Sequence, residues 1–229
     1  MNVAIIPARG GSKRIPRKNI KSFLGKPIIA YSIIEALKCG LFDEVVVSTD
    51  DEEIANIAIK YGAKVPFFRS VDTANDYAPL AAVIEEVIKE LETLSCQIDN
   101  ICCILPTAPL ISSEDIIALY DKLLSNDKIT SVIPVVRFSY PILRSLAMNE
   151  SGLLKMNWPE HLNSRSQDLP LAYHDSGSFY WIKKKALVQE HKIITDQCAG
   201  VEVDEMKVQD IDTETDWRLA ELKYTLIYG

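Results

Sequence analysis

The chain has 229 residues, 48% of them hydrophobic and 25% charged, with a formal net charge of -7. That length and apolar content suit a single α/β domain with a sizeable core, residues 1–229. The acidic balance argues against nonspecific nucleic-acid or membrane binding, no apolar run approaches the roughly 20 residues that span a bilayer, and the N-terminus enters a strand with no signal-like core, so a cytoplasmic location is expected.

Val3 to Ile6 is a short apolar run that reads as a buried strand. It leads into Arg9-Gly10-Gly11-Ser12-Lys13-Arg14 and then Arg17-Lys18-Asn19. Glycines let the backbone turn sharply and present its N–H groups, and the cations add charge and donors. No carboxylate precedes Glu35, although the protein as a whole is acidic. A cation cluster at the carboxyl end of a first strand, where open α/β sheets bind ligands, calls for an anion such as a triphosphate. It is neither a Walker A loop nor the dinucleotide pattern G-x-G-x-x-G. A solvated basic surface loop is the alternative that charge alone allows.

Pro27 and Gly40 bracket a helix over Ile28 to Cys39. Asp43 to Ser48 reads as a second strand, Val-rich as parallel strands are. Ser48-Thr49-Asp50-Asp51 opens a helix whose Ile54, Ile57, Ala58 and Tyr61 share a face, and Gly62 ends it. Val65 to Phe68 is predicted as a third strand, and a helix should run from about Pro79 to Leu94. Asn100 to Leu105 is a fourth strand, stopped by Pro106-Thr107-Ala108-Pro109. Ser112 and Asp115 have capping-box spacing for a helix ending near Ser125. Ser131 to Val136 is a fifth strand. This alternation implies a Rossmann-like, mostly parallel sheet with helices on both faces.

From Arg137 to Asp175 the rhythm breaks, which reads as an excursion from the sheet edge, a hairpin plus an arm that meets a second subunit. Ser178 to Ile182 returns to strand, and a last helix follows Asp212 and runs to about Ile227. Five cysteines, Cys39, Cys96, Cys102, Cys103 and Cys198, show no C-x-x-C spacing. Neither a disulfide framework nor a zinc site is expected, and Cys102 and Cys103 should lie in the core.

Asp210-Ile211-Asp212 is the second informative site. In extended backbone, alternate residues share a face, so both carboxylates aim at one spot. Two hard oxygen ligands, completed by water and phosphate oxygens, suit Mg²⁺. Alternatively Asp212 caps the last helix, for which Thr213 and Asp216 have capping-box spacing. Asn163 to Asp168 and Tyr173 to Ser178 are dense in donors and acceptors, as a polyhydroxylated, charged substrate requires; an ordered interface loop is the other reading. His161 and His174 are proton carriers by type.

Ile6-Pro7-Ala8-Arg9-Gly10-Gly11-Ser12-Lys13 with Pro16-Arg17-Lys18-Asn19, Val47 to Asp51, Pro106 to Leu110 and Asp210 to Glu214 together resemble the CMP-sugar cytidylyltransferases of the acylneuraminate type. The resemblance spans nearly the whole chain. Trp158 to His161, Asn163 to Leu169 and Ala172 to Asp175 look like the pseudaminic acid branch of that family. Leu105 stands where the sialic acid enzymes have a sugar-contacting Gln, which speaks against sialic acid itself.

The resemblance implies a nucleotide-diphospho-sugar transferase type of fold and a reaction between CTP and a nine-carbon 2-keto sugar acid. Arg9 and Lys18 would contact the triphosphate, with Ala8, Gly10, Gly11, Ser12, Asn19 and Arg69 in the nucleotide pocket. Asp210 and Asp212 would hold Mg²⁺. Thr107, Arg165, Gln167, Tyr173, His174 and Asp175 would serve the sugar, and the 137–175 arm would form a homodimer. The same chemistry on sialic or legionaminic acid, and a CTP-binding regulatory module without turnover, are the alternatives. A sensor has no evident use for cations that clamp a leaving group.

Overall fold

In the computed structural model, which describes residues 1–75 and 77–229, strand β1 (Asn2–Pro7) shows how the layers are set. Ala4 and Ile6 pack on one face of the sheet, Val3 and Ile5 on the other, and all four are fully buried. That is the two-residue period of an extended chain with helices on either side. Two residues of Leu24-Gly25 with positive φ then close a small hairpin of β2 (Ser22–Phe23) and β3 (Lys26–Pro27). Helix α1 (Ile28–Lys38) starts just after Pro27 and stops before Gly40, whose φ of 68° is the left-handed turn that glycine permits.

Strand β4 (Glu44–Ser48) follows, then α2 (Glu52–Lys60), α3 (Leu80–Thr93), β5 (Asn100–Ile104), α4 (Ser113–Leu124) and β6 (Ser131–Arg137). The excursion contains a two-stranded hairpin, β7 (Leu146–Met148) with β8 (Leu154–Met156). Its last three residues rejoin the sheet as β9 (Tyr173–Asp175), antiparallel to the end of β6. The chain closes with β10 (Phe179–Lys183), α5 (Lys184–Glu190), β11 (Cys198–Glu202) and α6 (Glu214–Tyr228).

Among the described residues the main sheet has seven strands, in the order β11-β6-β10-β5-β1-β4 with β9 continuing along β6. β1 is parallel to β4 and β5, and β6 to β11. β10 runs antiparallel between β5 and β6, so the sheet is mixed but mostly parallel. Residues of α1, α2 and α4 cover one face, including Ile33, Ile54 and Leu119. α3 and α5 cover the other, with Ile84, Val87 and Leu187. Cys102 and Cys103 lie fully buried on opposite faces, and all five cysteines are free.

The strand expected over Val65–Phe68 is corrected. That stretch makes isolated parallel bridges, Val46 with Lys64 and Thr49 with Phe68. Pro66 has no N–H to give, so a ladder cannot run through it. No helix of the described residues is long and apolar enough to cross a membrane.

A third, smaller cluster sits beside the sheet. It joins Ile15, Phe23, Ile28, Tyr31, Ile211, Trp217 and Ala220. Phe23 is its centre, edge-on to Tyr31, Trp217 and Tyr224 with ring centroids 5.3, 5.6 and 5.8 Å away. Phe23→Ala removes a fully buried ring from this cluster and should lower unfolding free energy in urea by about 3–5 kcal/mol.

Candidate active site

The carboxyl ends of β1, β4 and β5 open into a cleft of about 520 Å³. The first strand supplies Pro7, and the loop after it supplies Arg9, Ser12, Lys13, Arg14, Lys18 and Asn19. Leu105, Pro106 and Thr107 form the floor after β5, and Arg69 stands at the far end. Ten residues expected at the nucleotide or metal position therefore divide. Arg9, Ser12, Lys18, Asn19 and Arg69 line the cleft. Ala8 is buried in the core beneath it, Gly10 and Gly11 lie in the same loop outside the lining, and Asp210 and Asp212 are outside the lining as well.

The loop's shape is held from within. Asn19 is buried, and its side-chain amide donates to the Arg9 carbonyl at 2.9 Å, pinning the two ends of the loop together. Gly10 N–H donates to Asp50 Oδ1 at 2.8 Å. A Cβ on Gly10 would come within 2.7 Å of Asp51 Oδ2, so only glycine fits there without a shift.

Lys18 crosses to the other half of the site. Its Nζ donates to the Ile211 carbonyl at 2.6 Å and lies 3.8 Å from Asp212 Oδ1. Arg14 pairs with the same Asp212. Burial pulls the Lys18 ammonium below the usual lysine range, while Asp212 and, more weakly, Asp210 push it back up. Both carboxylates are thus felt at one lysine. Ile211 between them is buried in the third cluster, and Asp210 is exposed, which is the alternation expected of extended backbone.

Asp212 does not cap the last helix. Thr213 does, accepting from Asp216 N, while Asp216 accepts from the backbone N–H groups of Asp212 and Thr213. Among the described residues no three His, Cys, Asp or Glu side chains converge into a metal-holding group. Asp210 and Asp212 are two carboxylates on alternate residues of one extended segment, and two such ligands alone would leave a hard divalent ion to be completed by water and substrate oxygens.

Arg69 is buried and fixed, its Nε donating to Ser48 Oγ at 3.1 Å and its Nη2 to the Ser48 carbonyl at 2.7 Å. Burial holds its guanidinium below the ordinary arginine value. Beside it, Thr73, Asn75, Ala78, Leu80 and Val83 complete that wall. These residues of the connection and of the first turns of α3 were not singled out from the sequence. Their one signal is that a polar stretch follows Arg69.

The residues expected at the sugar separate further. Thr107 lines the cleft. Asp175, on β9, accepts from Tyr180 Oη at 2.7 Å and from Gly177 N–H at 2.9 Å. Burial and this carboxylate push the Tyr180 phenol well above its usual range. Tyr173 and His174 share β9 and are exposed; the His174 ring meets Phe138 edge-on. Arg165 and Gln167 lie on the arm outside the cleft lining. Arg165 pairs with Asp168, and Gln167 borders a separate small hollow with Arg137 and Tyr140.

Comparison with known proteins decides the family. A family model described as cytidylyltransferase matches residues 3–220. The chain belongs to the cytidylyltransferase family. This family member is 45% identical over 223 residues to a pseudaminic acid cytidylyltransferase of Campylobacter jejuni serotype O:2, covering 97% of this chain and 96% of that one. It is 31% identical over 222 residues to a CMP-N,N'-diacetyllegionaminic acid synthase of Legionella pneumophila, covering 96% and 94%. Among solved structures, the cytidylyltransferase superposes on CMP:2-keto-3-deoxy-manno-octonic acid synthetase complexed with CTP, with a TM-score of 0.69 and 18% identity over 99% and 98% of the two chains. That likeness is one of fold.

The outer edge of the site yields a pH dependence. Asp51 accepts from Arg17 and from Ile54 N–H, and the Arg17 guanidinium holds its carboxyl below the usual range. A carboxyl depressed on folding contributes stability above its unfolded pKa of about 3.9, and that contribution is lost as pH falls through the lower folded value. Asp51→Asn should therefore be less stable than wild type at neutral pH in urea melts. The difference should shrink once the pH drops below about 4.

Proposed function

We propose that this protein transfers CMP from CTP to the anomeric hydroxyl of pseudaminic acid and releases pyrophosphate. The observation that carries the reading is the convergence of Lys18 on Ile211 and Asp212, which brings the cation loop against the segment that holds the aspartates. The similarity to pseudaminic acid cytidylyltransferase over nearly the full length of both chains supports the choice of sugar. So does the apolar Leu105 in the cleft floor.

In the reaction the anomeric oxygen attacks the α-phosphorus, its proton passes to solvent water, and the bond from that phosphorus to the β-phosphate bridge breaks so that pyrophosphate leaves. Arg9 and Lys18 neutralise charge that grows on the departing pyrophosphate, and they do so from a loop already shaped before CTP arrives. Ser12, Asn19 and the Gly10-Gly11 turn, with the Gly11 N–H as its donor, hold the nucleotide phosphates. Arg69, fixed on Ser48, addresses the far end of the nucleotide. Thr107 and Asp175 face the sugar acid, with Tyr173 and His174 at the rim. Asp210 and Asp212 would hold Mg²⁺, which when bound there supplies positive charge to phosphate oxygens.

A pyrophosphate-release assay with CTP tests this directly. Release is expected with pseudaminic acid, more slowly with legionaminic or sialic acid, and not without a sugar acid. Chelation of Mg²⁺ should stop it, and Asp212→Asn should demand more Mg²⁺ for the same rate. CTP that binds tightly yet yields no pyrophosphate with any of these acids would sink the enzymatic reading. Full activity of Asp212→Asn at limiting Mg²⁺ would sink the metal assignment.

The arm carries a second part of the proposal. Met148, Leu153 and Leu154 on the hairpin are 71%, 69% and 62% exposed. Such a concentration of apolar surface marks an interaction site, and we assign it to a second copy of the chain, so that Arg165 and Gln167 meet the partner's sugar pocket. Sedimentation velocity should give a dimer. Met148→Glu with Leu154→Glu should shift it to monomer without unfolding it.

A further inference from the structure

We infer that Arg17 is a positioning residue: by clamping Asp51 and Glu53 it fixes the turn that aims Lys18 across the cleft. The inference rests on the cleft being the CTP site.

Arg17 has φ 55° and ψ 30°, left-handed backbone that costs every residue with a Cβ and is favoured by glycine. A strained residue persists where its surroundings over-determine it, and such positions cluster at functional sites. Here the surroundings are visible. The Arg17 guanidinium grips Asp51 with both terminal nitrogens, Nη2 reaching Oδ1 at 3.0 Å, and Nη2 also pairs with Glu53. A two-nitrogen grip fixes direction as well as distance.

The same acidic turn seats the other end of the loop. Gly10 N–H donates to Asp50 at 2.8 Å, and the Gly10 Cα lies against Asp51. So the loop from Gly10 to Arg17 is held at two points on the β4–α2 turn. The Arg17 carbonyl accepts from Ile20 N–H and Lys21 N–H, both at 3.0 Å, which closes the turn around Lys18. With the Arg17 side chain pulled outward to α2, the next side chain is thrown inward, and Lys18 reaches Ile211. Arg17 itself lines the outer surface with Asp51, Glu53 and Lys60 and is absent from the cleft lining. It acts through Lys18 and the loop.

Arg17→Gly separates clamp from backbone, because glycine accepts the left-handed turn freely while the guanidinium is gone. Isothermal titration with CTP alone, on the full chain, should show affinity lowered roughly three- to tenfold, the cost of ordering a loop on binding. KM for the sugar acid should stay within about twofold, and the melting temperature should hold within a few degrees, since backbone relief offsets a partly exposed ion pair. Arg17→Lys should recover part of the CTP affinity. Asp51→Asn, which keeps the helix cap, should weaken CTP to the same degree, and the double variant should be no worse than either single one. Unchanged CTP affinity in Arg17→Gly overturns the inference, as does equal weakening toward both substrates or loss of stability with affinity kept. Wild-type protein that binds no CTP overturns the functional reading beneath it, a different and recognisable result.

Discussion

The structure depends on one small hydrophobic core outside the sheet. Ile15 comes from the basic loop, Ile211 from between the two aspartates, and Trp217 and Ala220 from the last helix, and all are buried together around Phe23. Ile15 and Ile211 are far apart in sequence, and neither carries chemistry. Their burial nonetheless leaves the neighbouring polar side chains on the outer side of the cluster. Loop cations and aspartates must then face each other, and Lys18 meets the Ile211 carbonyl at 2.6 Å as a consequence. Apolar burial supplies the driving force. The ion pair at 3.8 Å between Lys18 and Asp212 contributes alignment more than stability.

The charge distribution follows from the same arrangement. A chain with a net charge of -7 sets Arg9, Lys13, Arg14 and Lys18 along one cleft and then flanks them with carboxylates. Asp50, Asp51 and Glu53 hold the loop from outside, and Asp210 and Asp212 stand opposite. Lys21 is withdrawn from the cleft. It pairs with Glu214 at 2.5 Å and lies 4.6 Å over the Trp217 ring, where it braces the loop against α6.

How much of this the sequence disclosed tracks how local each determinant is. β1, β4 and β5 are continuous apolar runs, and they stand where the run alone puts them. Val65 to Phe68 has the same look, but Pro66 breaks its hydrogen-bond ladder. β11, Cys198 to Glu202, was missed because Ala199 and Gly200 give no apolar run; its place is set by β6, and a Cβ on Gly200 would sit 3.2 Å from Val135. The seven-residue α5 was missed for a similar reason, its Leu187 being buried only by packing under the sheet. Of the cleft lining, Arg9, Ser12, Lys18 and Asn19 were legible from residue type and spacing. The wall at Leu80 and Val83 was not, since those side chains also read as an ordinary buried helix face. Nor was the tie from Arg17 to Asp51, a contact between residues 34 apart that no local pattern records.

The last helix shows why the two readings of Asp212 were not true rivals. A helix start leaves backbone N–H groups without partners, and some side chain must take them. Had Asp212 done so, its carboxylate would have turned toward the helix axis and away from the cleft. Thr213 and Asp216 form the capping box instead, and Asp216 accepts even the Asp212 N–H, at 3.1 Å. The cap is therefore complete without the Asp212 side chain. Its carboxylate stays on the cleft side, one residue beyond a buried isoleucine that fixes the backbone, and within reach of Lys18. The capping box formed by the neighbouring residues is what leaves the Asp212 carboxylate out of the helix cap and facing Lys18.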